Sequence, residues 1–256
     1  MSSGSGSGAA SAEGKAGDWL RKATQAQSSL ARAKYATRGL AQAGRDRTLR
    51  AMLLRQLYLS QMESEQFASA AESARAVLEL GVLPDVACQD LARAHLALGN
   101  TAEAVEELRR ASRVGPASRR AFHLWTLGGI LYFREDFAGA ASAFERAVRW
   151  GTTARPLYRA QLLLARLGQG RKGALRALAA ARQDLEAAAC GQGYGRYVLG
   201  ELAHRQGDFA AARAFLDEFI ARSGDGRVAL RVSLGSELAR ARQLLSVLEV
   251  EQSAKV

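Results

Sequence analysis

A small residue returns after a polar break at Ala70, Ala104, Ala140, Ala174 and Ala212, at intervals of 34, 36, 34 and 38 residues. The clearest unit reads Leu124, Leu127, Gly128, Leu131, then Glu135-Asp136-Phe137, then Ala140, Phe144 and Ala147. Large and small residues recur there at helical spacing on both sides of the break, which predicts two helices joined by a short turn. Gly128 and Ala140 let the helices approach, and Phe137 and Phe144 fill the seam. A chain built on such a period stacks small units, each touching its neighbours, rather than wrapping one central core.

The same order appears in Leu91, Ala92, His95, Gly99-Asn100, Ala104, Leu108, Ala111 and Pro116. It appears earlier in Leu57, Gln61, Gln66-Phe67, Ala70, Ala74 and Val77, and later in Leu199, Gly200, Ala203, Gly207-Asp208-Phe209, Ala212, Leu216 and Phe219. On these residues the chain resembles the tetratricopeptide-repeat family over residues 48–224. The pattern is strongest in 121–152 and degenerate in 155–188, and Cys88 and Leu124 stand where the family usually has a tryptophan. The resemblance implies an all-α, right-handed α-solenoid of about five helix-turn-helix repeats that binds other proteins. It implies neither catalytic residues nor a particular partner.

Outside the array, residues 1–17, rich in Gly and Ser, read as a disordered tail. Residues 18–44 read as one N-terminal capping helix, with Asp18 as N-cap and Gly44 as stop. Residues 227–250 read as a C-terminal capping helix. Leu230, Leu234, Leu238, Ala241, Leu245 and Leu248 form its apolar stripe, with Arg231, Glu237, Arg240 and Gln243 off it. Residues 251–256 read as a frayed tail. No run of eighteen apolar residues predicts a membrane span, and the N-terminus lacks the apolar core of a signal peptide, so a cytoplasmic location is expected. Cys88 and Cys190 have no second Cys or His at ligand spacing and read as free thiols. No cofactor or metal is expected.

Gly168-Gln169-Gly170-Arg171-Lys172-Gly173 matches the GxGxxG string. That motif needs a preceding strand, whereas the Leu-rich run 157–167 before it is helical, so it reads as a hairpin turn. Cys190-Gly191-Gln192-Gly193-Tyr194-Gly195 reads as a flexible loop between repeats. His95, His123 and His204 fall in different repeats, and Glu106-Glu107 and Glu135-Asp136 are adjacent acids rather than a facing pair. No arrangement for acid–base or nucleophilic chemistry emerges, and the chain does not read as an enzyme.

In the family the first helix of each hairpin lines the inner side of the array. Helical spacing relative to the packing residues then turns a set of aromatic, Met, Leu and Arg side chains inward. The expected partner contacts are Arg55, Leu59, Met62, Arg93, Phe122, Trp125, Tyr132, Phe133, Arg159, Arg166, Tyr194 and Tyr197. Such residue types concentrate in interface cores. The family subgroup that clamps C-terminal carboxylates uses Lys and Asn at positions that here hold Arg55, Leu59, Asp90, Phe122 and Thr126, of which only Arg55 could serve. Charge is also segregated: from Arg146 to Gln183 there are eight arginines and Lys172 with no acid, while nine acids fall between Glu63 and Glu107. The expected function is a scaffold or adaptor that holds a peptide or partner helix with acidic flanks. The alternative from the same arginines, and from a net charge of +11, is nucleic-acid binding.

Overall fold

The computed structural model describes residues 6–224 and 228–253. Among these residues it contains α-helices, two short 3-10 helices and no strand. Helix hairpins follow one another along the chain, the all-α solenoid arrangement, in two compact units, Met1–Val114 and Gly115–Val256. No helix among the described residues is long and apolar enough to cross a membrane.

The first unit holds three hairpins. They are α1 (Gly6–Gln25) with α2 (Ser29–Leu40), α3 (Arg47–Glu63) with α4 (Phe67–Glu79), and α5 (Pro84–Ala97) with α6 (Thr101–Val114). The second holds α7 (Ala117–Phe133) with α8 (Phe137–Trp150). It continues through α9 (Arg155–Gly168), a 3-10 turn (Lys172–Ala177) and α10 (Leu178–Ala187). A second 3-10 turn (Ala189–Gly191) leads to α11 (Tyr194–Arg205), α12 (Phe209–Ser223), α13 (Val228–Ser233) and α14 (Gly235–Ser253).

The expected turns are present, and a shared backbone conformation makes them. Glu65, Gly99, Glu135, Gly170 and Gly207 each take a positive φ, between 58° and 78°. This left-handed residue ends one helix and turns the chain toward the next. In the turns opening α8 and α12, Asp136 and Asp208 then accept from the backbone N–H of Gly139 and Ala211, capping the second helix. The prolines serve the opposite end: Pro84, Pro116 and Pro156 stand at the starts of α5, α7 and α9, where a missing N–H leaves no hydrogen bond unmade.

Four expectations about the ends and loops are corrected. Residues 6–17 belong to α1 rather than to a tail, and residues 1–5 lie outside the described residues. The single helix expected over 18–44 is two: the chain breaks at 26–28, and Ser28, not Asp18, is the N-cap, accepting from Ala31 N. This extra hairpin has its own packing. Trp19 stacks on Tyr35 at 5.8 Å, and Ala16 and Leu20 close over Leu53. At the other end the expected cap over 227–250 is broken at Leu234 into α13 and α14, and helix continues through 251–253; residues 227 and 254–256 lie outside the described residues. Beyond the break the buried stripe keeps Leu238, Ala241 and Leu248 and takes Leu244 in place of Leu245, while Leu230 is exposed and Glu237, expected off the stripe, is buried. Finally, the glycines after Cys190 form a tightly folded connection. A Cβ on Gly191 would stand 2.0 Å from the Leu185 carbonyl oxygen, and one on Gly195 2.2 Å from that of Cys190, so only glycine fits either place.

The hairpin of α9 departs most from the pattern. Its marker Ala174 lies in the 3-10 turn, and the second helix proper begins only at Leu178. Gly170 and Gly173 fall where that helix would start, and glycine is a poor helix former.

Candidate functional site

Helix α7 sorts its residues onto two faces. Leu124, Leu127, Gly128 and Leu131 are buried in the seam with α8, against Ala140 and Phe144. The opposite stripe carries Phe122, Trp125, Gly129, Tyr132 and Phe133, one or two residues per turn on a single side. Inside the second unit this stripe meets side chains from α9 and α11. Trp125 approaches Tyr158 at 6.2 Å and Tyr194 edge-on at 4.9 Å, and Phe133 approaches Tyr197 at 6.2 Å. Tyr194 and Tyr197 in turn contact Phe219 of α12. The result is a row of offset and edge-to-face rings spanning three first helices, a geometry that aromatic quadrupoles favour. Phe122 stands at the open end of the row, 5.6 Å from Trp125 and 42% exposed.

A polar chain runs behind the rings. The Trp125 indole N–H donates to Gln161 Oε1, and Gln161 Nε2 donates to the Tyr194 hydroxyl at 3.0 Å. That hydroxyl donates to Glu237 Oε1 of α14 at 3.0 Å. Beside it, Glu201 is fully buried and accepts from the Tyr197 hydroxyl at 3.1 Å and from Arg240 Nε at 3.0 Å. Burial raises Glu237 from 4.5 to about 7, against the opposing pull of its hydrogen bonds. Burial, and then the charge of Glu237, holds the Tyr194 phenol well above its ordinary value, and burial with Glu201 does the same for Tyr197. Tyr132 is pushed up to about 12 by burial and by Glu201. All three phenols stay neutral near pH 7, and those of Tyr194 and Tyr197 donate the hydrogen bonds that fix their rings.

The expected partner contacts divide between the units. In the first, Arg55 of α3 and Arg93 of α5 share one buried carboxylate, Asp90 of α5, at 2.7 and 3.5 Å, so Arg55 ties α3 to α5 while Arg93 pairs within its own helix. Leu59 is half-buried, and Met62, expected to face a partner, is fully buried. In the second unit, Tyr197 was likewise expected on an open face and is 2% exposed. The rings of Phe133, Tyr194 and Phe219 cover it. Trp125, Tyr132, Phe133 and Tyr194 are partly buried and pack on the core of this unit. Arg166 lies 3.7 Å from Glu145 of α8. Phe122 and Arg159 remain open to water. Gly129 adds an open spot in the stripe, since a Cβ built there meets nothing within 4 Å.

Gln161, Glu237 and Arg240 were not among the expected site residues. Gln161 had a signal: it is a polar residue set against the run Leu162-Leu163-Leu164, buried with them. Glu237 and Arg240 had none, because their place depends on the break between α13 and α14.

Residues 86–116 match the tetratricopeptide-repeat family profile. No curated protein matches the sequence. In fold, the chain is similar to a chain of the APC/C hetero-tetramer Cut9-Hcn1, with 16% identity and a TM-score of 0.56 over 89% of this chain; it spans 42% of that one. It is also similar to pilF of Pseudomonas aeruginosa, with 19% identity and a TM-score of 0.52, covering 80% of this chain and 91% of that one. A tetratricopeptide repeat protein from Parabacteroides merdae gives 15% identity and a TM-score of 0.59, covering 96% of this chain and 93% of that one.

Proposed function

We propose that this chain, a tetratricopeptide-repeat protein, works as a non-enzymatic scaffold, and that the α7–α9 face of its second unit holds a peptide or helix with acidic flanks. The fold supports protein binding in general. The observation that carries the narrower reading is Phe122: a large ring 42% exposed and backed by the indole of Trp125. An aromatic side chain held from behind is what an interface anchor requires. The flanking charge supports the partner's chemistry. Arg159 is exposed on α9, one residue beyond Tyr158, within the stretch from Arg146 to Gln183 that contains no acid. The open spot at Gly129 leaves room for a partner side chain between Trp125 and Phe133. Two free thiols, Cys88 and Cys190, fit a reducing compartment such as the cytoplasm.

The test is affinity capture from the native cell, with the captured protein then bound to variants. Phe122→Ala should weaken binding on the order of thirtyfold, about 2 kcal/mol, with an unchanged melting curve because the ring is largely outside the core. Arg159→Glu should slow association, with the effect shrinking as salt is added. Trp125→Ala should instead lower stability, since its ring supports the row. Equal binding by Phe122→Ala and the parent would overturn the reading. Capture of nucleic acid in place of protein, with a steep salt dependence, would replace it.

A further inference from the structure

The last helix is tied to the ring row by a buried carboxyl group whose hydrogen-bond partner among the described residues is a phenol. Glu237 is 7% exposed in the first turn of α14, and its partner is a neutral phenol, Tyr194 of α11, at 3.0 Å. Among the described residues, α13 also packs on α14 and carries Arg231, itself engaged in an interaction. Tyr197 and Glu201 lie further along α11, and Glu201 is engaged by Arg240 of α14 itself. Tyr132 of α7 is close enough to act electrostatically on Tyr194 and Tyr197. α9 supplies the uncharged Gln161, and α12 supplies Phe219 against Tyr194, with its Arg213 directed to Glu249 at 3.6 Å. The ion pair of Glu201 and Arg240 is thus internally balanced, whereas the charge that Glu237 would acquire has a phenol O–H to meet it.

We propose that α14 is a proton-controlled latch: it docks most tightly on α11 and α12 when Glu237 carries its proton and opens more often as Glu237 loses it. The ion pair of Arg240 and the buried leucines hold it in both states. Buried, a protonated carboxyl costs little and still accepts from Tyr194; an ionised one favours water. The direction comes from linkage. The docked state raises Glu237 from 4.5 to about 7, so docking binds a proton. Its support is complete below the lower value, declines by up to about tenfold per pH unit between the two, and is gone above the upper one. Release would bare the apolar side of α14, Leu238, Leu244 and Leu248, and free the Tyr194 end of the chain that runs through Gln161 to Trp125. The latch is a property of the unbound protein and is independent of what the α7–α9 face binds.

Amide hydrogen exchange of the full chain at about pH 5.5 and about pH 8, divided by the intrinsic rate at each pH, reads it directly. Protection of the α14 amides around Leu244 should fall at least about tenfold from the lower pH to the higher, while helices of the first unit hold theirs. In Glu237→Gln, which keeps the acceptor and has no proton to lose, α14 should show no such fall. Tyr194→Phe removes the donor that favours the ionised form, so its release midpoint should move to higher pH; this variant decides the matter if Glu237→Gln does not fold. Unchanged α14 protection in the parent, an equal fall in Glu237→Gln, or an unmoved midpoint in Tyr194→Phe would each overturn the latch.

Discussion

Gly128→Leu should destabilise the second unit by about 3 kcal/mol or more, while Gly129→Leu, one residue along the same helix, should leave it as stable or slightly more so. A Cβ on Gly128 would come within 2.6 Å of the Phe144 ring, and Phe144 is fully buried. Gly129 points the other way, and a Cβ there meets nothing within 4 Å. Replacing glycine inside a helix also gains up to about 1 kcal/mol in propensity, which offsets little at 128 and is the whole effect at 129. Thermal or urea melts of the two variants provide the comparison. Equal effects would mean that the register of α7 against α8 is wrong. The pair also separates fold from function, since Gly129→Leu fills the open spot beside Trp125 and should weaken partner binding in a well-folded protein.

Arg240→Ala should cost about 3 kcal/mol, near the low end for breaking a buried ion pair because about a third of the arginine side chain is in water. What makes the loss large is the partner left behind. Glu201 is fully buried, and without the guanidinium it would keep only the Tyr197 hydroxyl as a donor. Replacing both members together, Glu201→Leu with Arg240→Met, should recover most of the loss, because no uncompensated charge remains. Urea denaturation of the two single variants and the double variant gives the coupling. A double variant as unstable as the sum of the singles would show that the two side chains do not act as a pair.

The hairpins from α3 to α8, and α11 with α12, were legible because each turn announces itself. A left-handed residue ends one helix and a small residue comes next where the second helix must approach, and both recur at nearly one period. The hairpin of α1 and α2 escaped because its turn, Ala26-Gln27-Ser28, contains no glycine and no residue with positive φ. Its first helix also begins in a Gly/Ser-rich stretch that propensity alone disfavours. At the C-terminus the leucine spacing located most of the buried stripe but hid the break at Leu234, since the apolar repeat runs across it uninterrupted. Within the site, spacing told which way side chains leave α7 and α11. It could not tell what arrives from the other side. Phe122 and Arg159 face water, whereas Tyr197 meets the rings of Phe133 and Phe219. Buried polar residues such as Gln161 and Glu237 have no periodic signature, because their places are set by partners remote in sequence.

The most direct test of the protein-binding face is a photo-crosslinking amino acid placed at Phe122 and, in a second sample, at the exposed Ser142 on the solvent side of α8. Both samples would be irradiated in the native cell and the adducts identified by mass spectrometry. The expected result is a discrete protein adduct at position 122, carrying an acidic segment, and none of it at 142. The same adducts at both positions, or nucleic acid at 122, would contradict the assignment of this face.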